Sequence, residues 1–240
     1  MDKITRPIVT QIEDAVESIP GWSPIDQLSM LFALTLSSSH LEGDILEMGS
    51  WCGRSAVAIG MAARLSPNTR VFCVDLFPER NDWFANDDGS HSFSVVLDGV
   101  KYDAHHEQTV WDEPFQRDIV PVYDRFGSTL NAFTSAIEAN NLQDVVLPCR
   151  GTMKTFSKTV RDDFKVRLAF VDGDHSFDAV SQDIRIINSF LVPGGWICFD
   201  DAFSSYEGVN DAIKTHIIDN PNYDCCQQLT RKFFVARKTR

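Results

Sequence analysis

The chain has 240 residues, 43% hydrophobic and 23% charged. That is enough to bury one sizeable core, so a single domain over 1–240 is expected and a disordered, collagen-like or disulfide-scaffold chain is excluded. A net charge of -12 repels a phosphate backbone, and only the tail RKFFVARKTR gathers basic residues, so nucleic acid is not an expected partner.

The opening MDKITRPIVTQIEDAV has no continuous apolar segment, which speaks against a signal peptide or membrane span; a cytoplasmic protein without membrane attachment is expected. Ile8, Ile12, Val16 and Ile19 recur at helical spacing, followed by Ile25, Leu28, Phe32 and Leu36, so 1–40 reads as two N-terminal helices. Ser23 is the expected cap of the second, with Pro24 at its first position and Asp26 completing a capping-box-like pattern.

Apolar strand-like runs then alternate with helical patterns. The strands are DILEMG (44–49), RVFCVDL (70–76), VVLPC (145–149), RLAFVD (167–172) and GWICFD (195–200). The helices lie near 53–65, 128–140 and 176–191, the last with Phe177, Val180, Ile184, Ile187 and Leu191 on one face. A final helix near 208–219 precedes YDCCQQL and KFFVAR, which read as a closing hairpin with an antiparallel strand. Strands apolar on both faces and joined by crossover helices imply a parallel sheet covered on both sides. The expectation is a three-layer, Rossmann-like α/β fold with a mostly parallel seven-stranded sheet. Six cysteines without CxxC spacing indicate neither zinc nor a disulfide framework.

Residues 77–126 fit neither pattern: they are acidic, rich in aromatics, and inserted after the second strand. Insertions of that length are functional lids or disordered. Trp83, Phe84, Trp111 and Phe115 favour an ordered cap over a site, the alternative being a decorative or oligomer-forming excursion.

Ligands of doubly wound sheets bind outside the carboxyl ends of the strands. The first such loop is EMGSWCGRS, with Gly49 and Gly53 turning the strand into a helix. A dinucleotide fingerprint needs further glycines where Trp51 and Arg54 stand, which disfavours a nicotinamide cofactor. Asp75 ends the second strand, where an acid accepts hydrogen bonds from a ribose diol.

The set EMGSWCGRS, VDLF, VDGDHSFDAV and LVPGGWICFDD, spanning about 43–201, resembles the class I S-adenosylmethionine-dependent methyltransferases, in particular their small-molecule O-methyltransferase branch. The resemblance implies that Glu47 and Gly49 lie against the methionine part of the cofactor, within a loop completed by Ser50, Gly53 and Ser55. It further implies that Asp75 holds the ribose hydroxyls and that Gly151 and Thr152 border the adenine. S-adenosylmethionine has no phosphate, so Trp51 is acceptable there.

Asp172 ends one strand and Asp200 and Asp201 end the next, so in adjacent parallel strands three carboxylates converge. Uncompensated, they raise one another's pKa, and something positive should sit between them. The donors are all oxygen, which favours Mg²⁺ or a similar hard cation. Catechol O-methyltransferase and the metal-dependent sugar O-methyltransferases are similar in holding a metal at these positions. A divalent cation lowers the pKa of an acceptor hydroxyl and orients it for in-line methyl transfer. A base must take the proton. His175 stands where the resemblance places one, and imidazole suits that role near neutral pH; Asp174 is the competing base.

The expected function is Mg²⁺-assisted methylation of a hydroxyl on a small molecule such as a sugar or secondary metabolite. Alternatives are a metal-independent methyltransferase using His175, a non-catalytic cofactor-binding protein of the same fold, and a nicotinamide oxidoreductase, disfavoured by Trp51. Local readings also exist: Asp200 and Asp201 as caps of the next helix, Asp174 or Ser176 as a cap of the helix from 176, His175 as a solvated loop residue, and Asp178 and Asp183 as a solvent face. Trp83, Trp111, His105 and His106 are acceptor-site candidates by composition.

Overall fold

A computed structural model describes residues 6–104 and 108–240. Helices α1 (Ile8–Val16) and α2 (Ile25–Ser37) lead into β1 (Asp44–Met48), α3 (Arg54–Ala63) and β2 (Val71–Asp75). The insertion contributes β3 (Trp83–Ala85), β4 (Ser90–Leu97), β5 (Val100–Asp103) and β6 (Val110–Trp111). It ends in one helical run: α4 (Asp112–Pro114), a π-helical stretch over Phe115–Ile119, and α5 (Val120–Phe126). The chain continues through α6 (Thr129–Ala139), β7 (Val146–Arg150), α7 (Met153–Phe156), β8 (Val166–Val171), α8 (Phe177–Phe190), β9 (Leu191–Phe199), α9 (Glu207–Ile213), β10 (Tyr223–Gln228) and β11 (Phe234–Lys238).

Seven strands form one sheet in the order β10-β11-β9-β8-β1-β2-β7. β7, β2, β1, β8 and β9 pair in parallel, and β11 runs antiparallel to both neighbours. The sheet is the expected one, because alternate residues of each strand feed separate cores. Ile45, Val71, Cys73, Leu168 and Phe170 pack with α1, α2, α3 and α6 on one side. Leu46, Val74, Ala169, Val171 and Ile197 pack with α7, α8 and α9 on the other. β8 is buried at every position, as a central parallel strand must be.

Local details depart from the sequence reading. Pro24 occupies the N-cap of α2 with no side-chain cap, and Asp26 Oδ1 instead accepts from the Gln27 N–H at 2.9 Å. Ser23 lies one residue before the N-cap and does not cap, and its carbonyl accepts from Arg54 Nε. The buried face of α2 runs through Leu28, Leu31, Phe32 and Thr35, and Leu36 is exposed. On α8 the core face is Val180, Ile184 and Ile187; Phe177 lies outside it, stacked on His216. The insertion is an antiparallel sheet in which β4 pairs with β3, β5 and β6. Among the described residues no helix is long and apolar enough to cross a membrane.

The turn after β1 is set by a close backbone approach. Gly49 has φ +86°, and a Cβ there would stand 1.9 Å from the Asp172 carbonyl oxygen. Glycine is therefore required by the neighbouring loop as well as by the turn. Gly49→Ala should lower stability by about 2–4 kcal/mol through strain and overpacking, read from the urea midpoint; an unchanged midpoint would show that the two loops can separate freely.

Candidate active site

The carboxyl ends of β1, β2, β7 and β8 border a cleft of ≈ 560 Å³ whose walls include Gly49, Asp75, Thr152 and Asp174, with Phe93 and Tyr102 from the insertion. Asp75 anchors the first two loops. Its Oδ2 accepts from the Trp51 N–H at 2.9 Å and its Oδ1 from the Phe77 N–H at 2.6 Å. Burial pushes the Asp75 carboxyl up, and the donors Trp51, Phe77 and Ser50 pull it back. Trp51 and Phe77 both hold a left-handed φ of 45°, a strained conformation for aromatic residues that these hydrogen bonds offset.

Glu47 is 0% exposed, and neither carboxylate oxygen has a hydrogen-bonding partner among the described residues. Burial pushes its pKa up. A buried acid and the likewise orphaned Ser50 hydroxyl suit a cationic, hydrogen-bonding ligand group such as the ammonium of a methionine moiety. Thr152 lines the cleft while also capping α7, accepting from the Thr155 N–H at 3.2 Å. Gly151 precedes it, with its N–H donated to the Asp75 carbonyl. Gly53 sits in the left-handed N-cap position of α3.

The second cluster lies one strand over. One oxygen each from Asp172, Asp200 and Asp201 fall within 4.8 Å of one another. Burial raises the Asp172 carboxyl well above the usual range, and Asp200 and Asp201 add to the effect. The positive charge that the sequence called for is present in the chain itself: Lys232 Nζ lies 2.9 Å from Asp200 Oδ2 and 3.1 Å from Asp201 Oδ1. Burial works against this ammonium, but Asp200, Asp201 and Asp172 hold it above its ordinary range. His175 Nε2 lies 3.2 Å from Asp201 Oδ2, with its ring stacked on Tyr206 at 3.9 Å. Burial alone would raise Asp201; the His175 hydrogen bond and the Lys232 charge bring it below the usual carboxylate range.

The residues read from sequence thus divide between two adjoining regions. Gly49, Asp75, Thr152 and Asp174 face the cleft, whereas Asp172, Asp200, Asp201 and His175 form the acid cluster. A smaller pocket joins the glycine loop after β1, including Ser50 and Ser55, to Asp172 and Asp200, and is walled by Trp22 and Trp51. Asp174 Oδ1 accepts from the Ser176 N–H at 2.6 Å, and Ser176 Oγ caps α8 by accepting from the Ala179 N–H at 3.3 Å. Of the aromatics expected to cap the site, Phe84 and Trp111 are 47% and 62% exposed, and Trp83 packs between Phe93 and Phe115. The insertion reaches the site through Phe93, Tyr102 and Gln108, whose Nε2 donates to the Gly173 carbonyl at 2.7 Å. His105 and His106 lie outside the described residues.

Sequence reasoning missed Lys232, Trp22 and Gln108, for which no motif gives a signal. It also misplaced Asp183. Asp178 is exposed as expected, but Asp183 is 7% exposed and lines the cleft, its carboxyl pushed up to about 7 by burial and by Asp174. The unfolded chain releases this proton near pH 4, so the native state binds more protons than the unfolded state between about pH 4 and pH 7. Asp183 therefore lowers stability progressively over that window. Asp183→Asn should leave Tm nearly unchanged below pH 4, raise it increasingly through the window, and give a constant gain above pH 7. Melts across pH check this, and a gain independent of pH would contradict it.

A family model described as a methyltransferase domain matches residues 46–202, which takes in the cofactor loop, Asp75 and the acid cluster. Among curated proteins, none matches the chain. Among solved structures, the O-methyltransferase NovP has a TM-score of 0.61 at 15% identity, covering 90% of this chain and 81% of its own. TomG from Streptomyces achromogenes, an O-methyltransferase of tomaymycin synthesis in complex with S-adenosylmethionine, has a TM-score of 0.59 at 14% identity, with 98% and 91% covered. A Bacillus cereus O-methyltransferase in complex with S-adenosylhomocysteine has a TM-score of 0.57 at 15% identity, with 99% and 93% covered. These likenesses show a shared fold. With the family match over most of the sheet, they identify the chain as a member of the class I S-adenosylmethionine-dependent methyltransferase family.

Proposed function

We propose that the protein transfers the methyl group of S-adenosylmethionine to a hydroxyl of a small molecule, such as a sugar or a secondary metabolite, with His175 as base. The observation that carries this reading is the pairing of His175 Nε2 with Asp201 Oδ2 at 3.2 Å inside the acid cluster, beside the loop that borders the cofactor cleft. In the transfer, the bond from sulfur to the methyl carbon breaks as the bond to the acceptor oxygen forms. The hydroxyl proton passes to His175 Nδ1, which has no hydrogen-bonding partner among the described residues, while Nε2–H donates to Asp201 Oδ2, which holds the resulting imidazolium in place. S-adenosylhomocysteine and the methyl ether are the products.

On this reading Glu47 and Ser50 receive the methionine end of the cofactor, Asp75 the ribose, and the Gly151-Thr152 turn the adenine, with Gly53 and Ser55 shaping the loop. Asp172, Asp200 and Asp201 suit a divalent cation such as Mg²⁺, because they offer hard oxygen donors within 4.8 Å of one another. Such an ion supplies Lewis acidity and orientation to the acceptor oxygen when bound. Asp174 is less suited to be the base, since one oxygen already fixes the Ser176 N–H at the head of α8.

The insertion acts as a cap over the cofactor, latched by Gln108 on Gly173. The acceptor enters over Trp22 and Trp51, which wall the pocket beside Asp172 and Asp200. The acidic chain acts in the cytoplasm on a small molecule, without nucleic acid or membrane, and the exposed Phe84 and Trp111 offer a surface for a homo-oligomer. The small-molecule reading accords with TomG, an O-methyltransferase of tomaymycin synthesis that shares the fold.

Methyl transfer from labelled S-adenosylmethionine to a panel of sugars, phenols and other hydroxyl compounds tests the reading; cofactor binding without transfer to any hydroxyl would overturn it. His175→Ala should lower kcat by about 10²–10⁴-fold with the cofactor Kd unchanged by calorimetry. An equal loss confined to Asp174→Asn would move the base there. Asp172→Ala should abolish turnover in a folded protein, and wild-type rates would remove Asp172 from the mechanism. Gln108→Ala should speed cofactor release severalfold in stopped-flow measurements, whereas an unchanged rate would refute the latch.

A further inference from the structure

All four carboxylate oxygens of Asp200 and Asp201 are already engaged. Asp200 Oδ1 accepts from the Asp201 N–H at 2.8 Å, and Asp201 Oδ2 pairs with His175. The other two, Asp200 Oδ2 and Asp201 Oδ1, both hold Lys232 Nζ, at 2.9 and 3.1 Å. Lys232 is not a loose surface side chain that happens to reach these acids. It stands in the turn between β10 and β11, and its carbonyl accepts from the Ala202 N–H at 2.9 Å, so the turn is tied to the loop that carries both acids. Asp201 holds a left-handed φ of 53° in that loop, a conformation that its contacts to Lys232 and His175 help to maintain.

A divalent cation drawn to Asp172, Asp200 and Asp201 must share these oxygens with their present partners or displace one of them. Displacing the Asp201 N–H would break the turn, and displacing His175 would separate the base from its carboxylate. Lys232 remains, and its ammonium would repel a divalent ion placed among the same oxygens. We propose that Lys232 is a resident cation of the site, which competes with a divalent metal ion for Asp200 and Asp201 and holds Asp201 towards His175 when no metal is there. The metal-binding part of this inference rests on the reading of Asp172, Asp200 and Asp201 as a cation site. Lys232 is a positioning residue, acting on the acceptor through Asp201 and His175.

The test is Mn²⁺ binding to the full chain after EDTA treatment and removal of the chelator, followed by the EPR signal of free Mn²⁺. Lys232→Met should bind one Mn²⁺ at least tenfold more tightly than the wild type, and Asp200→Asn in that background should remove the gain. Lys232→Arg keeps the charge and should stay as weak as the wild type, which a purely structural role for the side chain would not produce. Lys232→Gln serves as a second neutral variant should the Met variant fail to fold. Equal Mn²⁺ affinity in the wild type and the neutral variants, whether tight or undetectable, would overturn the proposal. No acceptor is present in this measurement, so a failure to methylate hydroxyl compounds would overturn the proposed function while leaving the competition intact.

Discussion

Strands β2, β1, β8 and β9 end at nearly one height because the hydrogen-bond ladder carries on one residue past each strand. The Gly49 N–H donates to Val74, the Asp172 N–H to Met48, and the Asp200 N–H to Val171, at 2.8–3.0 Å. These three bonds fix where the loops leave the sheet, and Gly49 passes so close to Asp172 that no side chain fits between them. Neighbouring strands lie about 4.8 Å apart, so acids placed just after β8 and β9 must face one another. The juxtaposition of Asp172 with Asp200 is thus a consequence of sheet register, and the chain has to manage its electrostatic cost.

It does so with unequal partners. Three carboxylates meet one ammonium, so the formal charge of Asp172, Asp200, Asp201 and Lys232 is -2 if all are ionised. Lys232 attends to Asp200 and Asp201 directly, whereas Asp172 feels it only at longer range, and burial with the neighbouring carboxylates raises its carboxyl well above the usual range. Asp201 goes the other way because it touches two donors, Lys232 and His175. The cluster therefore contains one acid favoured in its protonated form and one favoured in its ionised form within a few ångströms, the kind of separation by environment that active sites use.

The sheet, its crossover helices and the strand-end acids were legible from periodicity, since strands buried on both faces leave long apolar runs and their ends are marked by the first charge. Lys232 was not. It sits in the basic tail RKFFVARKTR, which in sequence reads as a solvated patch, and only the antiparallel return of β11 beside β9 carries it to Asp200. Asp183 was misplaced because it flanks the buried residues Val180, Ile184 and Ile187 on α8, and helical spacing cannot tell that the edge of that apolar stripe meets a cleft. The aromatics of the insertion divide in a way composition does not show: Trp83 and Phe115 pack on each other, whereas Phe84 and Trp111 stay exposed. Ser23 fits a cap by residue type, yet Pro24 holds the cap position.

Arg54 also explains why the departures from a dinucleotide fingerprint go together. Its Nη1 donates to the Val16 carbonyl at 2.7 Å and to Ile19 at 3.1 Å, and its Nε to Ser23 at 3.1 Å. It thereby adds a second donor to the Val16 carbonyl at the end of α1, which also accepts from the Ile19 N–H at 3.0 Å, and lays the segment from Pro20 to Ser23 across the glycine loop after β1. That segment brings Trp22 to within 5.9 Å of Trp51, ring centre to ring centre, beside Asp172 and Asp200. In a pyrophosphate-binding loop these two positions would have to stay small so that the backbone could approach the ligand. Here the bulk at Trp51 and the reach of Arg54 become structural: one side chain forms a wall of the pocket, and the other holds the opposite wall in place.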